Sequence, residues 1–307
     1  MPLRFDYNIV DGWVRRVKTY KKLLLFVMIA LGAAAILSPW IFSFWNSHVA
    51  SPRHRPVFEQ IFGGVFIAAG LVLVLASPSL LRWRFLSEAG FVAKHRRNIF
   101  YGFILAVASM AILGFIMDLS GALTPGLSDP MPAMIRASVK ALVTALMVGF
   151  LEELFFRGIL FRGLLEDSGV AFAFLGANLI YALSHFFKPP EDFAAAGIDP
   201  LAGLRFLGLC LTPFVDPAAI LPGVIGLFVI GTVLSYALLR TDSLYLSIGL
   251  HAGWVFGIKV LPLFGDFTRE SLGWAFGAKP KIVSGMVTWI GIALVGVIVH
   301  FVTRKRA

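Results

Sequence analysis

Residues 151–158 read LEELFFRG, which sets two adjacent carboxylates, Glu152 and Glu153, and then Arg157 inside an apolar run from Ala137 to Leu165. A run of that length is a membrane-helix pattern, since about 20 apolar residues rising 1.5 Å each cross a hydrocarbon core about 30 Å thick. Ionised side chains are costly there, about 2.5–3.5 kcal/mol each on insertion scales, so charges in such a segment mark a functional site.

The rest of the chain has the same character. Its 307 residues are 58% hydrophobic with a mean hydropathy of +0.85. Only 14% are charged, against roughly 25% in a soluble domain. The fold class implied is all-α, a polytopic membrane protein of about eight transmembrane helices. The single Cys210 excludes an intramolecular disulfide and a cysteine-based zinc site. An excess of 27 basic over 17 acidic residues would suit nucleic acid. Here the basic residues sit at the ends of apolar runs, where they act as topology signals, and no nucleic-acid partner is expected. Arg15, Arg16, Lys18, Lys21 and Lys22 precede the first run as they would in a signal peptide. That run is spanning length and lacks an A-x-A exit, so an uncleaved helix is expected.

Apolar segments of spanning length fall at about 23–44, 61–81, 98–117, 138–165, 170–187, 218–239, 243–262 and 282–302. With both termini cytoplasmic, basic residues on that side outnumber those opposite by roughly two to one. The stretch 188–217, rich in Pro, Gly and Asp around the apolar residues 201–211, reads as a re-entrant or interfacial piece. The organisation expected is a basic cytoplasmic segment (1–22), N-terminal transmembrane helices (23–134), a core carrying the polar residues (135–262), and a last helix with a basic tail (263–307).

Glu153 and Arg157 are spaced i, i+4 with the acid first, the favourable order for a pair along a helix. Glu152 points about 100° away and requires a polar partner on another helix or a water-filled cavity. Two histidines lie inside apolar spans away from their ends, His185 in LIYALSHFF and His251 in SIGLHAGW. Asn178, Tyr181 and His185 follow one another at i, i+3 and i+7, a polar stripe on one helix face. Glu152 and His185 are each about 16–17 residues, or about 25 Å, from the turn at Ser168-Gly169, so they share a depth. His251 lies about 13 Å beyond Asp242. It shares that level if the helices on either side of Ser168 project about 10 Å past the bilayer.

A carboxylate and two imidazoles at one depth suit two chemistries. Glu and His can hold and deprotonate a water while the second His donates to the oxyanion of a tetrahedral intermediate. One carboxylate and two imidazoles are also a three-ligand catalytic zinc set with a fourth position for water. Both describe peptide hydrolysis, with Glu152, His185 and His251 as the acting residues.

The three elements, Glu152-Glu153-x-x-x-Arg157, Tyr181-x-x-x-His185 and the motif that begins at His251, resemble the CPBP intramembrane proteases. That family includes the CAAX prenyl endopeptidases and the bacterial Abi proteins. The resemblance covers roughly residues 135–262. It implies that Glu152 and His185 activate water, that His251 binds or stabilises the reacting oxygen, and that Glu153 and Arg157 are structural. It leaves open a divalent metal such as zinc on Glu152, His185 and His251 or a metal-free site. It further implies a membrane-anchored or lipidated peptide or protein substrate, and a multi-pass place in a bacterial plasma membrane.

Two positions depart from the family pattern. Tyr181 stands where Phe is usual, and Val255 stands where the third motif has Asn or Asp. Asn178 is a substitute candidate for the missing polar group. Loss of one oxyanion donor costs about 10²–10³ in rate, which implies a weakened enzyme. The alternatives are a proton-coupled transporter that uses the same charges as a relay, and a catalytically silent member that binds a partner. The first predicts Gly- or Pro-broken spans in matching halves, which the sequence lacks.

Overall fold

The computed structural model describes residues 18–48, 57–76, 95–189, 193, 199–277 and 282–304. Most of the basic N-terminal segment, residues 77–94 with Arg82, Arg84 and Lys94, and the tail residues Lys305 and Arg306 lie outside the described residues.

In chain order the longer helices are α1 (Thr19–His48), α2 (Phe58–Ala76), α3 (Asn98–Leu119), α4 (Met131–Glu153), a π-helical continuation Leu154–Phe161, α5 (Arg162–Ser168), α6 (Val170–Ser184), α7 (Ala202–Leu209), α8 (Pro217–Thr241), α9 (Leu244–Val260) and α10 (Met286–Val302). Two short strands, β1 (Leu123–Pro125) and β2 (Gly265–Phe267), pair antiparallel with Leu123 opposite Phe267. The protein is all-α in architecture, and the composition foretold that class.

By length and composition, Tyr20–His48, Asn98–Leu119, Met131–Ser168, Pro217–Thr241 and Leu244–Leu263 are able to cross a membrane. The segments expected at 61–81, 170–187 and 282–302 coincide with the shorter apolar helices Phe58–Leu73, Val170–Ser184 and Met286–Val302. For the second of these the cause is local. Ser184 Oγ donates back to the Tyr181 carbonyl oxygen at 2.8 Å, and the sequence then runs to Lys188-Pro189-Pro190, which disfavours further helix. His185 therefore lies in a turn past the helix end, not inside the helix.

The chain divides into two compact units, residues up to 83 with 185–220, and residues 84–184 with 221–307. In the first unit α1, α2 and α7 meet around Ala34, Ala35, Phe58, Phe62 and Phe206. The Phe58 and Phe206 rings lie 5.4 Å apart and those of Phe62 and Phe206 4.6 Å apart. The region 201–211, read from sequence as re-entrant or interfacial, supplies α7. Its Gly203 faces the backbone of Ala35 so closely that no side chain fits.

The second unit is organised on α9, which is buried on nearly every side. Lipid offers no hydrophobic drive between helices, so close association rests on packing and hydrogen bonds, which small residues allow. Gly249, Gly253 and Gly257 form such a row, one per turn. A Cβ at Gly249 would collide with the Ile99 carbonyl, at Gly253 with the Phe103 carbonyl 2.6 Å away, and at Gly257 with the Met110 side chain. From α3, Gly102 answers by lying against the Leu246 carbonyl. The seam is fastened by Trp254 Nε1 donating to Ser109 Oγ at 3.1 Å. On another side of α9, Ala252 packs on Gly149 of α4. The turn from α8 into α9 is tight because Asp242 takes a left-handed φ of 48°, and Ser243 Oγ caps α9 by accepting from the Tyr245 amide.

Gly249→Val puts branched atoms into the α3 backbone, and we expect it to cost about 1–3 kcal/mol or more through overpacking. Gly291→Ala is the control, because its Cβ meets nothing within 4 Å. Thermal unfolding of the detergent-solubilised protein should show a clear drop for the first and none for the second.

Candidate active site

The last turn of α4 carries Glu152 and Glu153, and the π-helical continuation carries Arg157. π-Helical turns recur at functional sites because the extra residue per turn re-aims side chains. Here the pair spaced i, i+4 closes as a buried ion pair, with Arg157 Nη1 at 2.7 Å from Glu153 Oε1. Glu153 is 0% and Arg157 1% exposed. Desolvation of that depth is offset by further partners for some of the polar atoms, while Glu153 Oε2 and Arg157 Nε are buried without a hydrogen bond. Arg157 Nη2 donates to the Gly231 carbonyl of α8 at 3.3 Å, and its guanidinium lies 4.4 Å from the Tyr181 ring centroid.

His251 joins this pair. Its Nδ1 lies 2.8 Å from Glu153 Oε1. A carboxylate oxygen beside a guanidinium is placed to accept, and an Nδ1–H donor fits this contact. The other ring nitrogen, Nε2, faces Glu152 Oε2 at 3.7 Å. The aim of His251 follows from the glycine seam. Two residues from both Gly249 and Gly253, it projects about 200° around the helix from the α3 contact, toward α4. Unlike Glu153, the Glu152 side chain is 30% exposed.

The residues expected in this region divide into those the second unit brings together and one it does not contain. Glu152, Glu153, Arg157, Tyr181, Asn178 and His251 all belong to the second unit. Tyr181 is buried with its ring perpendicular to that of His251, centroids 6.1 Å apart, and perpendicular to that of Phe156 at 5.1 Å. Asn178 is buried and its Oδ1 accepts from Ser235 Oγ of α8 at 2.9 Å. Gly231 makes this approach possible, since a Cβ there would stand 2.9 Å from Asn178 Oδ1. That engagement gives Asn178 a helix-joining part. His185 belongs to the first unit and is exposed. Val255, one turn beyond His251, is half-buried.

Sequence reasoning missed the Glu153–His251 hydrogen bond and the part of α8. The signal for the second was present as Gly231-x-x-x-Ser235, small residues one turn apart in an apolar helix. The first carried no sequence signal, because a contact between helices nearly 100 residues apart has no local period.

A catalytic zinc takes three protein ligands and an open position. Glu152 and His251 offer two donors at a compatible separation, but among the described residues no group of three His, Cys, Asp or Glu side chains is arranged to hold a metal. The residues so placed do not complete the set, and no step below runs through a metal.

The second unit thus sets a part-exposed carboxylate, Glu152, beside the buried imidazole of His251. Residues 135–257 match the family model of the type II CAAX prenyl endopeptidase Rce1-like proteins. Over that segment, which carries all three motifs, the match bears out the resemblance to the CPBP/CAAX protease family and supports a CAAX-type intramembrane protease. No curated protein matches the chain. No solved structure matches it either.

Arg157→Met removes one partner of a buried pair and strands the other charge, which typically costs about 3–5 kcal/mol. We expect a steep loss of monodisperse protein on size-exclusion chromatography and a lowered midpoint in thermal unfolding.

Proposed function

We propose that the chain is an intramembrane endopeptidase that hydrolyses a peptide bond of a membrane-anchored or lipidated substrate with activated water. The observation that carries this reading is the 3.7 Å approach of Glu152 Oε2 to His251 Nε2 beside a fully buried Arg157–Glu153 pair. An oxygen atom about 2.8 Å from each of the two atoms fits hydrogen-bonding distance to both.

Glu152 is the general base. It takes a proton from the water as the water oxygen attacks the carbonyl carbon, and returns that proton to the leaving amine. His251 donates from Nε2 to the carbonyl oxygen as that oxygen becomes an oxyanion. In its imidazolium form His251 donates from both nitrogens, and the four groups, two carboxylates with Arg157 and His251, sum to zero charge. A neutral set is the arrangement a low-dielectric interior tolerates best. The orientation that fits the basic residues has both termini in the cytoplasm.

A second reading, a silent member that binds a partner, is favoured by Val255, which offers no hydrogen bond where the family pattern has Asn or Asp. One experiment separates the two. Membranes from cells carrying wild-type protein are compared with membranes carrying Glu152→Gln, at equal insertion, for peptide termini that disappear. The protease reading expects specific termini to fall on the order of 10²–10⁴-fold, the worth of a general base. An unchanged set of termini favours the silent member.

Metal removal gives a further check. With water activated by Glu and His alone, we expect treatment of the membranes with 1,10-phenanthroline to leave those termini in place. Their loss on chelation and return with zinc would place a metal in the reaction.

A further inference from the structure

We propose that Glu153 is a positioning residue for His251: it holds the Nδ1 proton and so commits Nε2 to the reacting atoms. The inference rests on the protease reading for what Nε2 then does, and on geometry alone for the assignment of Nδ1.

Glu152 and Glu153 are neighbours in sequence with opposite surroundings. The Glu152 side chain is 30% exposed and faces Nε2, whereas Glu153 has no exposed surface. A group sealed to that extent does not meet a substrate or its water. Its Oε1 instead receives two donors, Arg157 Nη1 at 2.7 Å and His251 Nδ1 at 2.8 Å. Arg157 gives the carboxylate an opposite charge at contact distance, and the carboxylate, as an acceptor, sets which ring nitrogen carries hydrogen.

An imidazole left to itself has two tautomers and two ring orientations related by a half-turn, all close in energy. Two of the four place a carbon where the hydrogen bond to Glu153 is made, and a third places a bare nitrogen against a carboxylate. The remaining arrangement, Nδ1–H toward Glu153, makes that hydrogen bond and turns Nε2 toward Glu152; Nε2 donates to the reacting oxygen only when it carries a proton as well, as in the imidazolium form. Neighbours restrain the ring further. Tyr181 stands edge-on to it, and the glycine seam fixes the turn of α9 from which it projects. The second carboxylate of the Glu-Glu pair then has a task distinct from that of the first: Glu152 moves the proton, and Glu153 holds in place the ring that Glu152 works beside.

If Glu153 served only to neutralise Arg157, removing both charges would restore everything. Glu153→Leu combined with Arg157→Met is that variant, since a buried pair replaced by apolar residues of similar size usually keeps the fold. The experiment reads the ring nitrogen-15 spectrum of histidine-labelled protein in nanodiscs, with His251 assigned by its disappearance in His251→Gln. It also reads the membrane termini described above.

In the wild-type protein His251 should show a protonated Nδ1. In the double variant, with a thermal midpoint near wild type, the Nδ1 proton should be lost or exchanging and the product termini reduced on the order of 10²–10⁴-fold. A wild-type spectrum with bare Nδ1 overturns the proposal, as does a double variant that keeps wild-type termini. If the double variant does not fold, the wild-type spectrum still decides. If wild-type membranes yield no specific termini, the protease reading fails while the spectrum judges the Glu153–His251 assignment on its own.

Discussion

The cost of placing charge out of water governs this molecule. Arg157 and Glu153 are both sealed from solvent, and neither would be tolerated alone. Each is held by the other and by groups from separate helices: the Gly231 carbonyl from α8, the Tyr181 ring from α6, and His251 from α9. These contacts tie α4 and its π-helical continuation to three neighbours at one point. Buried polar networks are costly when incomplete, so the helices that meet there have little freedom to slide or rotate.

Apolar surface gives no such direction inside a membrane, where lipid tails serve as well as leucine side chains. Small residues supply the rest of the specificity by allowing backbones to touch. The Gly249, Gly253 and Gly257 row presses α9 onto α3, and Gly149 lets α4 approach Ala252. Hydrogen bonds from Trp254 to Ser109 and from Ser235 to Asn178 sit beside these close approaches and lock them. The electrostatic knot and the steric seam thus share one helix, α9, and fix it from opposite sides.

Much of this could be read in the chain beforehand. The apolar runs gave the helical class, and the i, i+4 spacing of Glu153 and Arg157 gave their pairing, because both signals are periodic and local. The 100° offset of Glu152 likewise called for a partner on another helix, and His251 Nε2 faces it. Less legible was what depends on distant sequence. The end of α6 was overextended because a side chain, not polarity, stops the helix at Ser184, before His185. The π-helical stretch after Glu153 and the two short strands have no periodic signature. The bond from Glu153 to His251 joins residues whose relation is set only once α9 has docked. The three residues read as one polar stripe thus resolve into three surroundings: Asn178 engaged with α8, Tyr181 between Arg157 and His251, and His185 exposed in a turn.

The glycine seam of α9 and the ring of His251 occupy opposite faces of the same two turns. The information that aims the helix is therefore written in residues that carry no functional groups, and the reactive nitrogen is written in one that contributes nothing to the seam. Shape and chemistry can then drift separately. A lineage that abandons the reaction keeps the seam when the histidine changes, provided the newcomer still partners Glu153, and a protein engineer who grafts another side chain at that position inherits an orientation already built on one side.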